Sequence, residues 1–320
     1  MKLHHLPSEL LLSIAEYLGQ SDLNNLVQTN LHLRDLLESH LYRHNVRYVH
    51  SSALIFAAIS GQENVARKAL RENANVKGID SITPLFEAVS NRHLGMVKLL
   101  VESGAPIDRL VDVETFHTGT WPAYLGYGLR GYADTALTKA TSLSHLGIMK
   151  LLLNHGANVD GTNDFGWTPL PWAAFGCERI FKLLLESGAE INIGGHRQYN
   201  PLSQSICGSS RAIFNLLLDR NPDLDRYGGS YFTKGQTPLW TALSQRYYET
   251  IGILLDEGAN PNLPDIDRGR TVLWMAVVRG HEEVTRALLA RGADPNIAPG
   301  GQTPLLQRFS WEMSPLQRVY

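Results

Sequence analysis

The sequence predicts an all-α fold in which a small N-terminal helical unit precedes a stack of repeated helix pairs. The tripeptide Thr-Pro-Leu recurs at residues 83–85, 168–170, 237–239 and 303–305. The dipeptide Gly-Ala, or a close variant of it, follows about 21 residues after the start of a repeat. Residues 1–50 lack both marks and instead carry apolar side chains at helical spacing.

Each repeat begins with residues that suit the N-terminus of a helix. Relaxed versions of the tripeptide fall between the full copies, at residues 52–54, 135–137, 200–202 and 271–273. The first position is always Ser, Thr or Asn, whose side-chain oxygen caps a helix. Pro at the second position needs no N–H there, and Leu at the third is the expected core anchor. The Gly of Gly-Ala, replaced by Asn73 and Asn221 in two copies, suits the left-handed conformation that ends a helix.

These units resemble the ankyrin repeat. The segment GRTVLWMAVVRGHEEVTRALLARGADPN, residues 269–296, is close to the family pattern over its whole length. Spacings between repeat starts are 31, 52, 33, 32, 37, 34 and 32 residues, around the family period of ~33. The resemblance implies an ankyrin-repeat α-solenoid with short β-hairpin loops over residues 48–320, with about seven full repeats and a truncated eighth. The repeat at Thr168 is one residue short between its helices.

An insertion separates the second and third repeats. The 52-residue spacing leaves ~19 residues beyond one period, and they lie in residues 109–134. Aromatic side chains there predict a packed finger: Phe116, Trp121, Tyr124, Tyr127 and Tyr132. Gly126, Gly128 and Gly131 form a GxGxxG pattern. A dinucleotide site needs a strand before this pattern and a free helix after it, so we interpret the glycines as loop residues and keep an enzyme built on this loop as a minor alternative.

The first 47 residues carry a different ordered pattern. It consists of Leu6-Pro7, Glu9-Leu10-Leu11, Ile14, Tyr17-Leu18, Asp22-Leu23, Leu26, Thr29-Asn30, Arg34 and Leu36-Leu37. The pattern resembles an F-box, a three-helix unit, although Asp35 stands where many F-boxes have an aromatic residue. A unit of this size buries its own apolar surface poorly, so we expect either a partner protein or the first repeat to cover it.

The F-box resemblance implies that residues 1–47 dock on a Skp-type adaptor of a cullin–RING ubiquitin ligase, by helix-on-helix recognition. The implied adaptor contacts are Leu6, Pro7, Leu10, Leu11, Ile14, Leu18, Leu23 and Leu26. An N-terminal F-box followed by ankyrin repeats is a pairing found widely in filamentous fungi, which implies such a source. The alternative is an ankyrin scaffold or inhibitor without a ubiquitin role, whose N-terminal helices only cap the array.

The ankyrin resemblance also implies a concave binding surface made of loop tips and first helices. It places there Phe165, Trp167, Phe175, Arg197, Tyr199, Lys234, Arg268, Arg270 and Arg279. Aromatic residues and Arg carry most of the binding energy in protein interfaces. This order predicts a protein substrate with an apolar anchor followed by acidic or phosphorylated residues. For any single residue, an ordinary solvated loop side chain is the alternative.

Composition excludes several classes of protein. Lys and Arg number 29 and Asp and Glu 31, so the formal charge is −2, which predicts no attraction to nucleic acid or to an anionic membrane. No apolar run approaches the ~18–20 residues of a membrane span. Glu9 and Glu16 interrupt the N-terminal apolar run, which argues against a signal peptide. Cys177 and Cys207 make no disulfide scaffold, predict small buried side chains, and indicate a reducing compartment, the cytoplasm or nucleus.

Residues that could carry chemistry fit structural roles better. No nucleophile elbow, zinc-binding helix or phosphate loop is present, so we expect no metal, no cofactor and no catalysis by the chain. His93, His145 and His281 each lie ten residues after a capping residue, which predicts one structural hydrogen bond repeated in each copy. Trp240 and Trp274 occupy the same position in consecutive repeats and are predicted to stack.

Overall fold

A computed structural model describes part of the chain. The described residues are 8–15, 18, 37, 52–78, 82–113, 132–163, 166–192, 200–228, 235–297, 301 and 303–306. The chain divides into two compact units, residues 1–164 and 165–320.

The described part of the first unit contains three helix pairs, one N-terminal helix and one pair of short strands. They are α1 (Ser8–Ala15), α2 (Ser52–Ser60), α3 (Glu63–Arg71), α4 (Pro84–Ser90), α5 (Leu94–Glu102), β1 (Val111–Val113), β2 (Tyr132–Asp134), α6 (Ala136–Ser142) and α7 (Leu146–Asn154). The first helices pack in the order α2, α4, α6, and the second helices in the order α3, α5, α7.

The described part of the second unit contains four more helix pairs. They are α8 (Pro169–Ala174), α9 (Glu178–Glu186), α10 (Pro201–Cys207), α11 (Arg211–Leu218), α12 (Pro238–Ser244), α13 (Tyr248–Asp256), α14 (Val272–Val278) and α15 (Glu282–Ala290). The first helices again stack, in the order α8, α10, α12, α14. We number the repeats one to seven by their first helices α2, α4, α6, α8, α10, α12 and α14.

The capping residues predicted from the sequence are confirmed in most repeats. In four repeats the Thr hydroxyl accepts the N–H of the third residue after it, at 3.1 to 3.4 Å: Thr83, Thr135, Thr237 and Thr271. Asn200 accepts the N–H groups of Leu202 and Ser203. In the seven full repeats the Leu of the tripeptide is at most 2% exposed and anchors the core: Leu54, Leu85, Leu137, Leu170, Leu202, Leu239 and Leu273. The core anchor predicted for the truncated eighth repeat is wrong, because Leu305 is 60% exposed.

Thr168 is the exception among the threonine caps. The residue is 2% exposed, and its Oγ1 has no hydrogen-bond partner. The donor in the other repeats is the N–H three residues on, and here that residue is Pro171, which has no N–H. The cap predicted at Thr168 is therefore wrong. The repeat is one residue short, but the predicted place between the helices is wrong: three residues separate the helices here as in repeats five to seven, and α8 has six residues where α10, α12 and α14 have seven.

The second helix of each of the seven repeats is ended by a residue with a left-handed backbone conformation, as the sequence predicts. The φ angles are 63° at Asn73, 85° at Gly104, 86° at Gly156, 87° at Gly188, 51° at Asn221, 98° at Gly258 and 84° at Gly292. At each of these positions the chain leaves the helix and enters the extended loop that leads to the next repeat.

The ends of the insertion form a short antiparallel ladder. Strand β1 pairs with β2 so that Val111 lies opposite Asp134 and Val113 opposite Tyr132. Residues 114–131 lie outside the described residues, and with them the GxGxxG pattern and the aromatic residues predicted to pack there. Tyr132 belongs to β2, but its side chain also lies outside the described part of the structure.

Three charged side chains are buried among the described residues of the first unit. Asp134 is 0% exposed, Lys139 5% and Glu87 9%. Burial raises the pKa of Asp134 to about 7, although the N–H of Thr135 and the charge of Lys139 act against this rise. Burial lowers the pKa of Lys139, and the charges of Asp134 and Glu87 act against that change.

The three histidines do not share one hydrogen bond, so the predicted repetition is wrong in detail. Each is the residue before a second helix. Their partners differ: the Ile59 carbonyl oxygen for His93 at 3.0 Å, the Ile148 N–H for His145 at 3.2 Å, and the Tyr248 hydroxyl for His281 at 3.3 Å. The shared position sets where the ring lies, but His145 caps its own helix, whereas His93 and His281 contact the preceding repeat.

Two further structural predictions are also corrected. Trp240 is 2% exposed, and its Nε1 donates to the Arg270 carbonyl oxygen at 3.2 Å. The Arg270 guanidinium lies 5.3 Å from the centre of the Trp274 ring, so among the described residues Arg270 links the two indoles in place of direct stacking. Cys177 and Cys207 are free and partly exposed rather than buried.

Candidate protein-binding surface

An aromatic cluster marks the start of the second unit. The rings of Trp167 and Trp172 meet edge to face, with centroids 5.5 Å apart and planes at 65°. Phe175 follows at the end of α8 and is 37% exposed. Trp172 and Phe175 are three residues apart around a helix, which places them on one side of it. We call Trp167, Trp172 and Phe175 the aromatic cluster.

Repeat five approaches the aromatic cluster closely. A Cβ atom built on Gly208 would lie 2.0 Å from the carbonyl oxygen of Phe175. Only glycine permits this separation, because real Cβ atoms do not come so near to a backbone oxygen. The ends of α8 and α10 are therefore in contact beside Phe175.

A cleft lies beside the end of α10, between the turns and the first residues of the second helices α11 and α13 of repeats five and six. Its volume is about 250 Å³, and it is lined by Ser205, Ile206, Ser209, Ser210, Arg211, Phe214, Tyr247, Tyr248, Glu249 and Thr250. The hydroxyl groups of Ser209 and Tyr247 lie 2.6 Å apart. Arg211 and Glu249 form an ion pair at 3.0 Å. The cleft therefore combines apolar side chains with hydroxyl groups, and its charged pair is already matched.

Two exposed arginines lie beyond the cleft, at the turns of repeats six and seven. Arg246 precedes Tyr248 by two residues, and Arg279 precedes His281 by two. Tyr248 and His281 contact each other, with ring centroids 5.6 Å apart, so the two turns are neighbours. Burial lowers the pKa of His281, and the charges of Arg246 and Arg279 lower it further. Neither arginine forms an ion pair with a described residue.

The loop before α14 holds two more of the predicted arginines. Asp265 is 4% exposed, and its Oδ1 accepts the N–H groups of Arg268 and Arg270, both at 2.9 Å. Its Oδ2 lies 3.4 Å from the Arg270 guanidinium. Arg270 is thus held by Asp265 and by the Trp274 ring, which makes it a support of the loop. Arg268 is exposed and has no ion pair with a described residue.

The structure therefore describes five of the nine predicted substrate contacts. Trp167, Phe175, Arg268, Arg270 and Arg279 all lie in the second unit. Phe165, Arg197, Tyr199 and Lys234 lie outside the described residues. Sequence reasoning missed Trp172 and Tyr248. The position of Trp172, four residues after Thr168 and three before Phe175, is the signal that could have found it.

The predicted adaptor contacts are described only in part. Ile14 is 41% exposed on α1, whereas Leu11 is 2% exposed. Leu11 therefore packs inside the chain and presents no free contact surface. Leu18 is half-buried. The remaining predicted contacts, or their side chains, lie outside the described residues: Leu6, Pro7, Leu10, Leu23 and Leu26.

Comparison with protein families identifies the repeats. A family model of three ankyrin repeats matches residues 20–110 and 125–195, and the single ankyrin repeat matches residues 234–266 and 268–298. The chain belongs to the ankyrin-repeat family. No F-box domain is detected, and the ankyrin match begins at residue 20, inside the segment that resembles an F-box.

Other ankyrin-repeat proteins are similar over part of their length. The ankyrin repeat protein nuc-2 of Neurospora crassa is 27% identical over 212 residues, which are 65% of this chain and 18% of that protein. The ankyrin repeat and KH domain-containing protein mask-1 of Caenorhabditis elegans is 31% identical over 135 residues, 41% of this chain and 5% of that protein. This ankyrin-repeat chain thus spans less than a fifth of either relative.

A solved structure shows the same fold. The ankyrin repeat domain of Bcl-3, a member of the IkappaB protein family, superposes with a TM-score of 0.53 at 25% identity, over 72% of this chain and 95% of that chain. In the described part of this ankyrin-repeat chain, no helix is long and apolar enough to cross a membrane. The same residues hold no group of three or more His, Cys, Asp or Glu side chains placed to bind a metal ion.

Proposed function

We propose that this ankyrin-repeat chain is a binding scaffold that holds a protein partner along the first helices of its second unit. The observation that carries the proposal is the aromatic cluster, with Phe175 37% exposed beside a pair of tryptophans. Aromatic side chains grouped on a surface supply large contact area at low entropic cost. Arginines without an ion pair to any described residue follow in repeats six and seven, so a partner with apolar residues first and acidic residues later fits this surface.

The length of the partner segment follows from the stack. Packed helices lie 8–10 Å apart, so α8 and α14 are separated by about 27 Å. An extended segment rises about 3.3 Å per residue and therefore needs about eight residues to reach from the aromatic cluster to Arg279. A displayed library of random twelve-residue peptides is long enough to span both ends.

Selection from that library, with the purified full chain as bait, tests the proposal. We expect enriched peptides to share an aromatic or aliphatic residue followed by acidic residues. The variant Phe175→Glu is expected to bind these peptides at least tenfold more weakly, because it places a charge in the aromatic cluster. The control Leu289→Glu changes a residue of α15 that is 45% exposed and is expected to bind as the wild type does. Equal loss in both variants would contradict the proposal.

The substrate-receptor role in an SCF-type cullin–RING ligase is the second candidate. The exposure of Ile14 at 41% favours it, because an apolar side chain on α1 is available to a Skp-type adaptor. Co-expression with such an adaptor tests it. We expect a stable complex that Ile14→Asp disrupts and that the control Ile59→Asp, at 42% exposure, leaves intact. A wild-type chain that fails to bind the adaptor would remove this candidate.

Neither proposal gives the chain a catalytic step. A scaffold acts by raising the local concentration of the protein that it holds. Both proposals therefore keep the expectation from the sequence that the chain has no catalytic activity, metal or cofactor. Both proposals place the chain in the cytoplasm or nucleus, and the lack of a disulfide at Cys177 and Cys207 supports this location.

A further inference from the structure

We propose that Arg246 and Arg279, on the two turns that the contact between Tyr248 and His281 brings together, bind a phosphate monoester on the protein partner. The inference rests on the proposed scaffold function and names what the basic end of its surface recognises. The four side chains belong to the turns of repeats six and seven, which the contact between Tyr248 and His281 brings together.

The charges around this pair favour an anion. Arg246 and Arg279 are exposed, and the carboxylates closest to them along the chain are already matched. Glu249 pairs with Arg211, and Glu282 pairs with Arg286. Two positive charges are therefore left without a partner among the described residues.

A phosphate monoester suits two guanidinium groups better than a carboxylate does. It carries a charge of about −1.5 to −2 at pH 7 and three acceptor oxygens, whereas a carboxylate carries one charge and two oxygens. Each guanidinium presents donors in a planar fork that matches phosphate oxygens.

The neighbouring cleft provides space for the rest of the partner. Tyr248 lines the cleft of about 250 Å³ together with Ile206 and Phe214. A residue next to the phosphorylated one can place an apolar side chain against the exposed ring of Tyr248, because Ile206 and Phe214 are each only 3% exposed. The chemistry therefore points to a phosphorylated serine or threonine with an apolar neighbour on its N-terminal or C-terminal side.

An oriented peptide library tests the assignment. Its pools hold a central phosphoserine, glutamate or serine flanked by random residues, and the purified full chain is titrated onto each pool. We expect the phosphoserine pool to bind at least tenfold more tightly than the other two. Arg246→Gln and Arg279→Gln are each expected to weaken that binding about tenfold, because each removes charge-assisted hydrogen bonds.

The matched control is Arg179→Gln, which removes an exposed arginine of α9 in the same unit and is expected to bind as the wild type does. Circular dichroism of each variant confirms that the repeats are folded. Equal binding of the phosphoserine and glutamate pools overturns the proposal, as does unchanged binding by both Arg246→Gln and Arg279→Gln. Phosphatidylcholine vesicles with 5% phosphatidylinositol phosphate form a further arm, and binding to them without binding to the phosphoserine pool assigns the site to a membrane and also overturns it.

The scaffold proposal and the phosphate proposal are tested by different results. Peptides that the random library selects and that Phe175→Glu rejects support the scaffold even if no phosphoserine pool binds. In that outcome only the phosphate assignment is overturned. If the random library yields no peptide that Phe175→Glu rejects, and the phosphoserine pool also does not bind, both proposals are overturned.

Discussion

The side chain of Asp225 accepts the backbone N–H of Asn260 in the next repeat, with Oδ1 2.8 Å from the nitrogen. The same bond recurs along the chain, from the N–H of Asn158 to Asp108, of Asp223 to Asn192 and of Asp294 to Asn262. Burial raises the pKa of Asp225, the bond from Asn260 acts against the rise, and the charge of Asp223 adds to it. These bonds hold each loop to its neighbour.

Removing this acceptor tests the role of the bond. Asp225→Ala leaves the Asn260 N–H without its partner and is expected to lower the free energy of unfolding by about 1 kcal/mol. Asp225→Asn keeps an oxygen in place and removes a charge that burial disfavours, so it is expected to lose less. Urea unfolding of the full chain measures both. Equal losses would show that the bond to Asn260 is not what matters.

The two threonines at Thr168 and Thr237 make a matched pair, because each is 2% exposed. Thr237 caps α12, whereas the hydroxyl of Thr168 accepts no hydrogen bond. Thr237→Val is expected to lower the free energy of unfolding by about 1 kcal/mol. Thr168→Val is expected to be neutral or stabilising, because it removes a buried hydroxyl without a partner. A similar loss in both variants, measured by urea unfolding, would contradict this account.

Two glycines of repeat six are expected to respond to alanine with opposite signs. Gly252 lies inside α13, and a Cβ atom there meets nothing within 4 Å. Gly252→Ala is therefore expected to stabilise the chain by up to about 1 kcal/mol. Gly258 also has open space around a Cβ, but its φ is 98°, so Gly258→Ala is expected to cost about 1 kcal/mol. Thermal unfolding of the two variants checks the sign of each change.

Asp134 is expected to make stability depend on pH. Its pKa is raised from 3.8 to about 7 in the folded chain, so between these values the unfolded chain releases the proton first. The contribution of Asp134 to the free energy of unfolding is largest below pH 4 and decreases as the pH rises to about 7. Asp134→Asn removes the titration and keeps an oxygen near the N–H of Thr135.

The free energy of unfolding of Asp134→Asn relative to the wild type is therefore expected to increase from pH 4 to pH 7, by at most about 4 kcal/mol. Urea unfolding at one-unit pH intervals measures it. A difference that stays constant over this range would show that Asp134 is ionised throughout in the folded chain.

The features predicted correctly from the sequence depend on residues only a few positions apart. A Thr caps a helix through an N–H three residues away, and a Gly such as Gly104 ends a helix through its own φ. Such local features can be predicted from a single sequence. The loss of the cap at Thr168 is also local, because Pro171 directly follows the tripeptide. The tripeptide alone does not show that the N–H needed by the cap is missing.

The features that were not predicted depend on contacts between repeats. Arg270 is predicted to face a substrate, but it is occupied by Asp265 and Trp274. The contact between Tyr248 and His281 joins residues 33 positions apart. The burial of Asp134 likewise depends on how the chain folds around β2. Spacing along the sequence shows where a side chain leaves the helix, but not which neighbour meets it.

Hydrogen–deuterium exchange of the full chain, with and without a peptide selected from the random library, tests the scaffold account most directly. The account predicts slower exchange on binding in residues 166–176, 244–248 and 265–281, which hold the aromatic cluster and the exposed arginines Arg246, Arg268 and Arg279. It predicts no change in α15 beyond its first turn. Protection limited to the second helices, or to residues 8–15, would contradict binding along the first helices of the second unit.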